Sequence, residues 1–215
     1  GAPVALWVDS FTDHFSPQVG EAAVAVLREA GYTPFVPEEQ GCCGLTFIST
    51  GQLDQARRTL EGASAALAPV VAAGVPVVGL EPSCTAALRH DLPRLLDSPV
   101  ARGVAGSVRT VAELLTAAMA DGRWQAPDLS GTEVVAQPHC HHHAVMSWKA
   151  DEELLVATGA SVRRLGGCCG LAGNFGFEKG HYDVSMACAE QQLLHRCGRL
   201  VVCGFRDDLA AELGC

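Results

Sequence analysis

The tripeptide Cys-Cys-Gly occurs twice in this chain of 215 residues, at Cys42-Cys43-Gly44 and Cys168-Cys169-Gly170. Each copy holds the same place in a repeated order of predicted elements. In the first half, residues 4–8 read as a buried strand, and Val19, Ala23, Val26, Leu27 and Ala30 share one helical face closed by Gly31. A strand over 33–36 then leads to Gly41-Cys-Cys-Gly44. A long helix follows with Leu53, Ala56, Leu60, Ala63, Leu67 and Val70 on one face. A strand over 75–80 runs into Glu81-Pro-Ser-Cys84, with a further helix over 85–96. The second half repeats this order: strand 133–136, Cys140, helix 152–157, strand 161–165, Cys-Cys-Gly, helix 182–196, strand 200–203 and helix 206–213. Strands alternating with helices predict parallel sheets joined by right-handed crossovers. The expected fold is α/β, with two pseudo-symmetric lobes, each a small parallel sheet flanked by helices and carrying a Cys-Cys-Gly loop. The first lobe covers 1–123, a linker 124–131, and the second lobe 132–215.

In parallel sheets of this kind functional groups collect beyond the carboxyl ends of the strands. Both Cys-Cys-Gly triplets, Cys84 and Cys140 all follow predicted strands, so distant cysteines are gathered at sheet edges. Adjacent cysteines make strained mutual disulfides, whereas two neighbouring thiolates suit a metal centre, with glycine letting the backbone turn closely around it. Ten cysteines in 215 residues is well below the roughly 8–10% of a small disulfide scaffold.

Composition narrows the setting. Hydrophobic residues make up 48% and charged residues 18%, which provides a core and excludes an intrinsically disordered chain. A formal net charge of −9 argues against a nucleic-acid partner, whose phosphates need clustered Lys and Arg. No apolar run approaches the roughly 20 residues of a membrane helix. The opening residues lack a signal-peptide pattern, so the expected location is cytoplasmic, at most peripheral on the inner face of the plasma membrane. The missing initiator Met points to a fragment or a processed chain. In a reducing compartment such cysteine patterns mean metal or redox chemistry.

Five segments carry a family resemblance: Phe11-Thr-Asp-His-Phe-Ser-Pro-Gln-Val-Gly20, Gly41-Cys-Cys-Gly44, Glu81-Pro-Ser-Cys84, His139-Cys-His-His-His143, and Gly167-Cys-Cys-Gly-Leu-Ala-Gly-Asn-Phe-Gly-Phe-Glu178. Together with His181-Tyr-Asp-Val-Ser185, they resemble the cysteine-rich, or CCG, domain family. That family includes the B subunit of heterodisulfide reductase. It also includes the iron–sulfur subunits of glycolate oxidase, lactate-utilisation and anaerobic glycerol-3-phosphate dehydrogenase systems. The chain looks most like the C-terminal part of fusions that join an FAD-linked 2-hydroxyacid dehydrogenase to iron–sulfur modules.

The family pattern is a lone Cys, then Cys-Cys-Gly, then Cys-x-x-Cys, and in the heterodisulfide reductase branch these cysteines hold a noncubane [4Fe–4S] cluster. Carried over to this sequence, the resemblance implies Cys42, Cys43 and Cys84 as metal ligands of the first lobe. Ser10 stands at the lone-Cys position and Glu81 at the first Cys of Cys-x-x-Cys. For the second lobe it implies Cys140, Cys168 and Cys169. Asp207 stands where a further cysteine is expected, and Cys203 is a nearby substitute. Neither lobe has the full five cysteines, so three thiolates with Glu81, Asp207 or Cys203 are left to hold a [4Fe–4S] cluster, thiolate being the usual ligand.

The histidines around Cys140 allow a zinc reading, but consecutive residues rarely all reach one ion. His141 is expected instead to hydrogen-bond a cluster or move protons beside it. Glu178 and His181 are expected to line the cofactor or acceptor pocket with Tyr182. Gly170, Gly173 and Gly176 read as room for the backbone to wrap a cluster, while Cys188, Cys197 and Cys215 read as structural. The implied function is an iron–sulfur electron-transfer domain that takes electrons from a flavin-dependent D-lactate or glycolate dehydrogenase and passes them to a quinone or cytochrome. Its expected partners are a flavoprotein domain or subunit, which holds the FAD, and a ferredoxin-type iron–sulfur domain. Alone the chain is not expected to oxidise a hydroxyacid. The competing readings are a thiol–disulfide module of heterodisulfide reductase type and a cluster-free or zinc-bound docking scaffold.

Overall fold

A computed structural model describes residues 1–172, 175–191 and 193–194, and the backbone of the strand at 200–202. The chain divides into two compact units, Gly1–Ala126 and Pro127–Cys215. The division falls inside the expected linker. Residues 129–132 already belong to the second unit, because the Leu129 N–H donates to the Thr158 carbonyl at 2.7 Å and the Ser161 N–H to the Thr132 carbonyl at 2.9 Å.

The first unit runs β1 (Ala2–Trp7), α1 (Ser10–Phe15), α2 (Pro17–Glu29), β2 (Tyr32–Phe35), α3 (Leu45–Ser49), α4 (Leu53–Ala72), β3 (Val77–Gly79) and α5 (Pro82–Ala86). A π-helical turn (Ala87–Asp91), α6 (Leu92–Leu95), α7 (Pro99–Ser107), β4 (Val108–Arg109) and α8 (Val111–Ala120) complete it. All pairings are parallel, in the order β2-β1-β3-β4. Trp7, Leu60, Leu67, Val77, Leu88, Leu92, Val104 and Val108 are fully buried in one core. The apolar stripe of α4 is buried from Ala56 to Val70, although Leu53 at its start is 42% exposed.

Three features depart from the sequence expectation. The helix expected over 85–96 starts earlier, where Pro82 follows the capping residue Glu81. It also widens in the middle, where the Leu92 N–H reaches back five residues to the Ala87 carbonyl. Pro93, just beyond, has no N–H to continue the four-residue ladder. Residues 99–120, which sequence periodicity left unassigned, form two helices around the two-residue strand β4. Their starts are capped by Ser98 onto the Ala101 N–H and by a reciprocal Thr110–Glu113 box.

In the second unit, β5 (Glu133–Ala136), a π-helical turn (His142–Met146), α9 (Lys149–Ala157), β6 (Ser161–Arg164), a 3-10 turn (Phe175–Phe177), α10 (Tyr182–Glu190) and β7 (Leu200–Val202) follow in order. This sheet is also parallel, in the order β6-β5-β7. In both units, therefore, the first strand is flanked by the second and the third. Each Cys-Cys-Gly follows the second strand. The helix expected over 206–213 lies outside the described residues.

The glycines after Cys169 have a packing role. A Cβ on Gly170 or Gly176 would collide with Ser185 of α10, with its carbonyl oxygen and its hydroxyl respectively. These glycines let the loop close onto a helix. Accordingly Ser185 and Ala189 form the buried face of α10, while Val184 is 53% exposed. Gly173 lies outside the described residues.

The two motif glycines predict a contrast in stability. Both have positive φ, +71° for Gly44 and +90° for Gly170, but a Cβ on Gly44 meets nothing nearer than 3.6 Å. Gly44→Ala should cost about 1–2 kcal/mol from the left-handed backbone alone. Gly170→Ala should cost clearly more. Urea unfolding of both variants checks this, and equal losses would contradict the packing of the loop on Ser185.

Candidate metal centre

Parallel register places the carboxyl ends of β2, β1 and β3 side by side, and each opens into a chemically loaded turn. The turn after β1 carries Asp9, whose Oδ1 accepts the Phe11 and Thr12 N–H groups at 3.0 and 2.9 Å; its Oδ2 accepts the Thr12 hydroxyl at 2.7 Å. Beyond β2 comes Gly41-Cys-Cys-Gly44. Beyond β3, Glu81 caps α5 by accepting the Cys84 N–H on Oε2 at 2.5 Å. Asp9 and Glu81 are each only 4% exposed, and neither carboxylate has a cationic partner among the described residues.

Sulfurs meet at this edge. The Cys43 and Cys84 Sγ atoms are 2.9 Å apart, and both residues are buried. Cys42 is exposed; its sulfur accepts the Gly44 N–H at 3.4 Å and interacts with the Cys43 thiol. The three thiols thus form a chain from the surface inward. Gln40 holds the β1 and β2 turns together by accepting the Val8 N–H at 3.4 Å. An open cleft of about 300 Å³ beside Cys42 is lined by Asp9, Ser10, Asp13, His14 and Gln40. Ser10, at the lone-Cys position, starts α1 and faces this cleft.

All three thiols are shifted toward the protonated form. The Cys43 thiol and burial push the Cys42 pKa up, outweighing the pull of the Gly44 N–H. Cys42 lowers that of Cys43, but Cys84 and burial raise it further. Cys43 likewise lowers the value of Cys84, and burial with the Glu81 and Asp9 carboxylates overturns this. Because metal binding needs thiolates, loading this edge must displace protons. The carboxylate expected as a substitute ligand, Glu81, is engaged as a helix cap instead.

In the second unit Cys140 follows β5 and Cys168-Cys169 follow β6. The Gly170 N–H donates to the Cys168 sulfur at 3.3 Å, so both Cys-Cys-Gly turns aim the glycine N–H at their first sulfur. Burial, then the Cys169 and Cys168 thiols, raise the Cys140 pKa, which places the three within electrostatic reach. Cys169 packs against Val135, Leu165 and Leu193. Gln137 ties the two loops through its amide to the Gly167 carbonyl at 3.2 Å. Cys203 and Asp207, the candidates for a fourth ligand, lie outside the described residues, as do Cys197 and Cys215.

The remaining candidates make local pairs. His181 stacks on Phe175 at 4.2 Å and meets Glu178 at 3.2 Å. Among the described residues neither His141 nor His181 hydrogen-bonds a cysteine sulfur. The buried histidine of this stretch is His142, 2.9 Å from Asp151 of α9. Sequence reading missed that pair, for which no local spacing gives a signal. It also missed Asp9 as a cap, although Asp9-Ser-Phe-Thr12 carries a capping pattern. His143 is taken by Arg164 at 2.7 Å.

Among the described residues no three His, Cys, Asp or Glu side chains are gathered around a single-ion position. The donors at each edge are nonetheless soft thiols on neighbouring strand ends. That donor set fits thiolate-bound iron–sulfur chemistry better than a hard cation.

The comparisons with known proteins agree. The profile of the cysteine-rich CCG domain matches residues 8–89, a stretch that includes Asp9, Cys42, Cys43 and Cys84. Residues 8–89 are thus similar to a cysteine-rich CCG domain. The chain is 28% identical over 188 residues to the C subunit of anaerobic glycerol-3-phosphate dehydrogenase from Escherichia coli (86% of this chain, 47% of that protein). It is 27% identical over 197 residues to the B subunit of fumarate reductase (CoM/CoB) from Methanothermobacter marburgensis, with 86% of this chain and 36% of that protein covered. Lactate utilization protein A from an Exiguobacterium species is 25% identical over 227 residues, covering 98% of this chain and 88% of that protein. The chain thus spans about half or less of the length of the first two relatives. Among the described residues no helix is long and apolar enough to cross a membrane.

The proton inventory of the CCG thiols sets a pH dependence. Their folded pKa values lie above the ordinary thiol value of 9.0. Their contribution to the stability of the metal-free protein is therefore full below that value and lost as pH rises through the folded values. Under strong reductant, the urea midpoint should fall between about pH 7 and about pH 10, spanning the ordinary thiol range, and fall less in Cys43→Ser. A wild-type midpoint that holds or rises would contradict the assignment.

Proposed function

We propose that this chain is the cysteine-rich iron–sulfur electron-transfer part of an oxidoreductase. It would serve a flavin-dependent dehydrogenase of a small hydroxy compound, of D-lactate or glycolate type. The observation that carries this reading is the chain of thiols Cys42, Cys43 and Cys84 at three adjacent parallel strand ends, with a Gly N–H aimed at the first sulfur of both Cys-Cys-Gly turns. The relatives point the same way, since their names place them in dehydrogenase, reductase and lactate-utilisation systems. FAD belongs to a partner domain or subunit in this reading, and a ferredoxin-type module and a quinone or cytochrome complete the path.

When bound, an iron–sulfur cluster supplies one-electron transfer, which splits the electron pair that a flavin takes from its substrate. The chain's own residues do the rest. Cys42, Cys43 and Cys84 give up protons and present thiolates in the first unit; Cys140, Cys168 and Cys169 do so in the second. The Gly44 and Gly170 N–H groups stabilise negative charge on the sulfurs of Cys42 and Cys168. Burial of Cys43 and Cys84 keeps water from one side of the edge, while exposed Cys42 and its cleft leave the other side open to a partner. Asp9 and Glu81 order the turns that position the thiols.

Iron and sulfide per chain after anaerobic purification test this directly. Cys43→Ser and Cys168→Ser should each lower iron sharply, because a hydroxyl ionises far less readily than a thiol. Cys188→Ser should leave iron unchanged. With the partner flavoprotein, flavin reduction by the hydroxyacid should survive in Cys43→Ser while electron delivery to the acceptor fails. Wild-type iron in Cys43→Ser, or equal loss in the Cys188 variant, would overturn the ligand assignment.

A further inference from the structure

The same edge has a second stable chemical state. We propose that Cys43 and Cys84 are the site of a reversible disulfide in the metal-free protein, and that this bond closes the first thiol set to iron. The inference rests on the electron-transfer reading only for its second half. Three observations carry it. The two sulfurs are already 2.9 Å apart, so bonding at about 2.05 Å needs a shift of only a fraction of the separation. Both residues are buried, at 4% and 8% exposure, and both are free thiols. Iron binding, by contrast, requires this contact to open into two separate thiolates, so the bonded pair and the loaded site exclude each other.

Cys42 supplies the way in. It is the exposed end of the sulfur chain and interacts with Cys43. The oxidant is a low-molecular-weight disulfide, RSSR. Cys42, the exposed thiol, attacks it from its small ionised fraction, forming a Cys42–SR bond and releasing RS⁻, which takes up the thiol proton as RSH. Cys43 then attacks the Cys42 sulfur and releases the second RSH. The resulting bridge between adjacent residues is strained, and Cys84 resolves it by attacking the Cys43 sulfur, which returns Cys42 as a thiol. In sum, two protein thiols and RSSR become the Cys43–Cys84 disulfide and two RSH, a two-electron oxidation balanced by thiol–disulfide exchange. A dithiol reductant reverses it.

The test uses the metal-free full chain, reduced anaerobically and then exposed to oxidised glutathione. Alkylation and peptide mapping should show Cys43 joined to Cys84 as the main product at this edge. Cys42→Ser should slow closure several-fold without changing the product, and Cys84→Ser should leave glutathione or a Cys42–Cys43 bridge in its place. Iron uptake on adding iron and sulfide should fall after closure and return with dithiothreitol. Cys43 and Cys84 remaining alkylatable, or Cys43 ending on another partner in the wild type, would overturn the disulfide. Unchanged iron uptake by the mapped disulfide form would overturn the blocking role. If reduced protein takes up no iron at all, the electron-transfer reading fails, and the peptide map still decides the disulfide.

Discussion

Parallel pairing of β1 with β2 and β3 is the constraint on which the rest depends. In a parallel sheet all strands end at the same edge, so turns separated by dozens of residues in sequence emerge side by side. That is how Cys43 and Cys84, 41 residues apart, come into sulfur contact. The second unit repeats the strand order around β5, and Cys140 and Cys168-Cys169 follow the corresponding first and second strands. The positive-φ glycine after each cysteine pair then turns the backbone so that its N–H meets the first sulfur.

Electrostatics gives this edge its character. Asp9 and Glu81 are buried near the thiols, and each is satisfied by backbone N–H groups of the helix it caps. Negative charge is thus fixed beside sulfurs that must become negative to bind metal. Without a cation the outcome is three protonated thiols; with a thiophilic one, the carboxylates favour its positive charge. The device that orders the turns therefore also makes the metal-free edge reluctant to ionise.

Much of this was legible in the sequence. The α/β class followed from alternating strands and helices, and the central thiols followed from their positions after strands. What escaped was tertiary. The pair Cys43–Cys84 was expected as part of a ligand set, but nothing in the spacing distinguishes ligands held apart from thiols in contact. Glu81 reads as a substitute ligand because it stands where the family has a cysteine, while its carboxylate caps α5 by accepting the Cys84 N–H. The packing of Gly170 and Gly176 on Ser185 has no sequence signal, because Ser185 lies on a later helix. Residues 99–120 give little periodic signal, because their helices are short and their strand has two residues.

In the proposed function, thiols gathered by parallel strand ends hold the iron. X-ray absorption at the iron edge of the anaerobically loaded protein tests it most directly. The first coordination sphere should be dominated by sulfur, with iron neighbours in the second. A sphere dominated by oxygen or nitrogen, or one without iron neighbours, would contradict it.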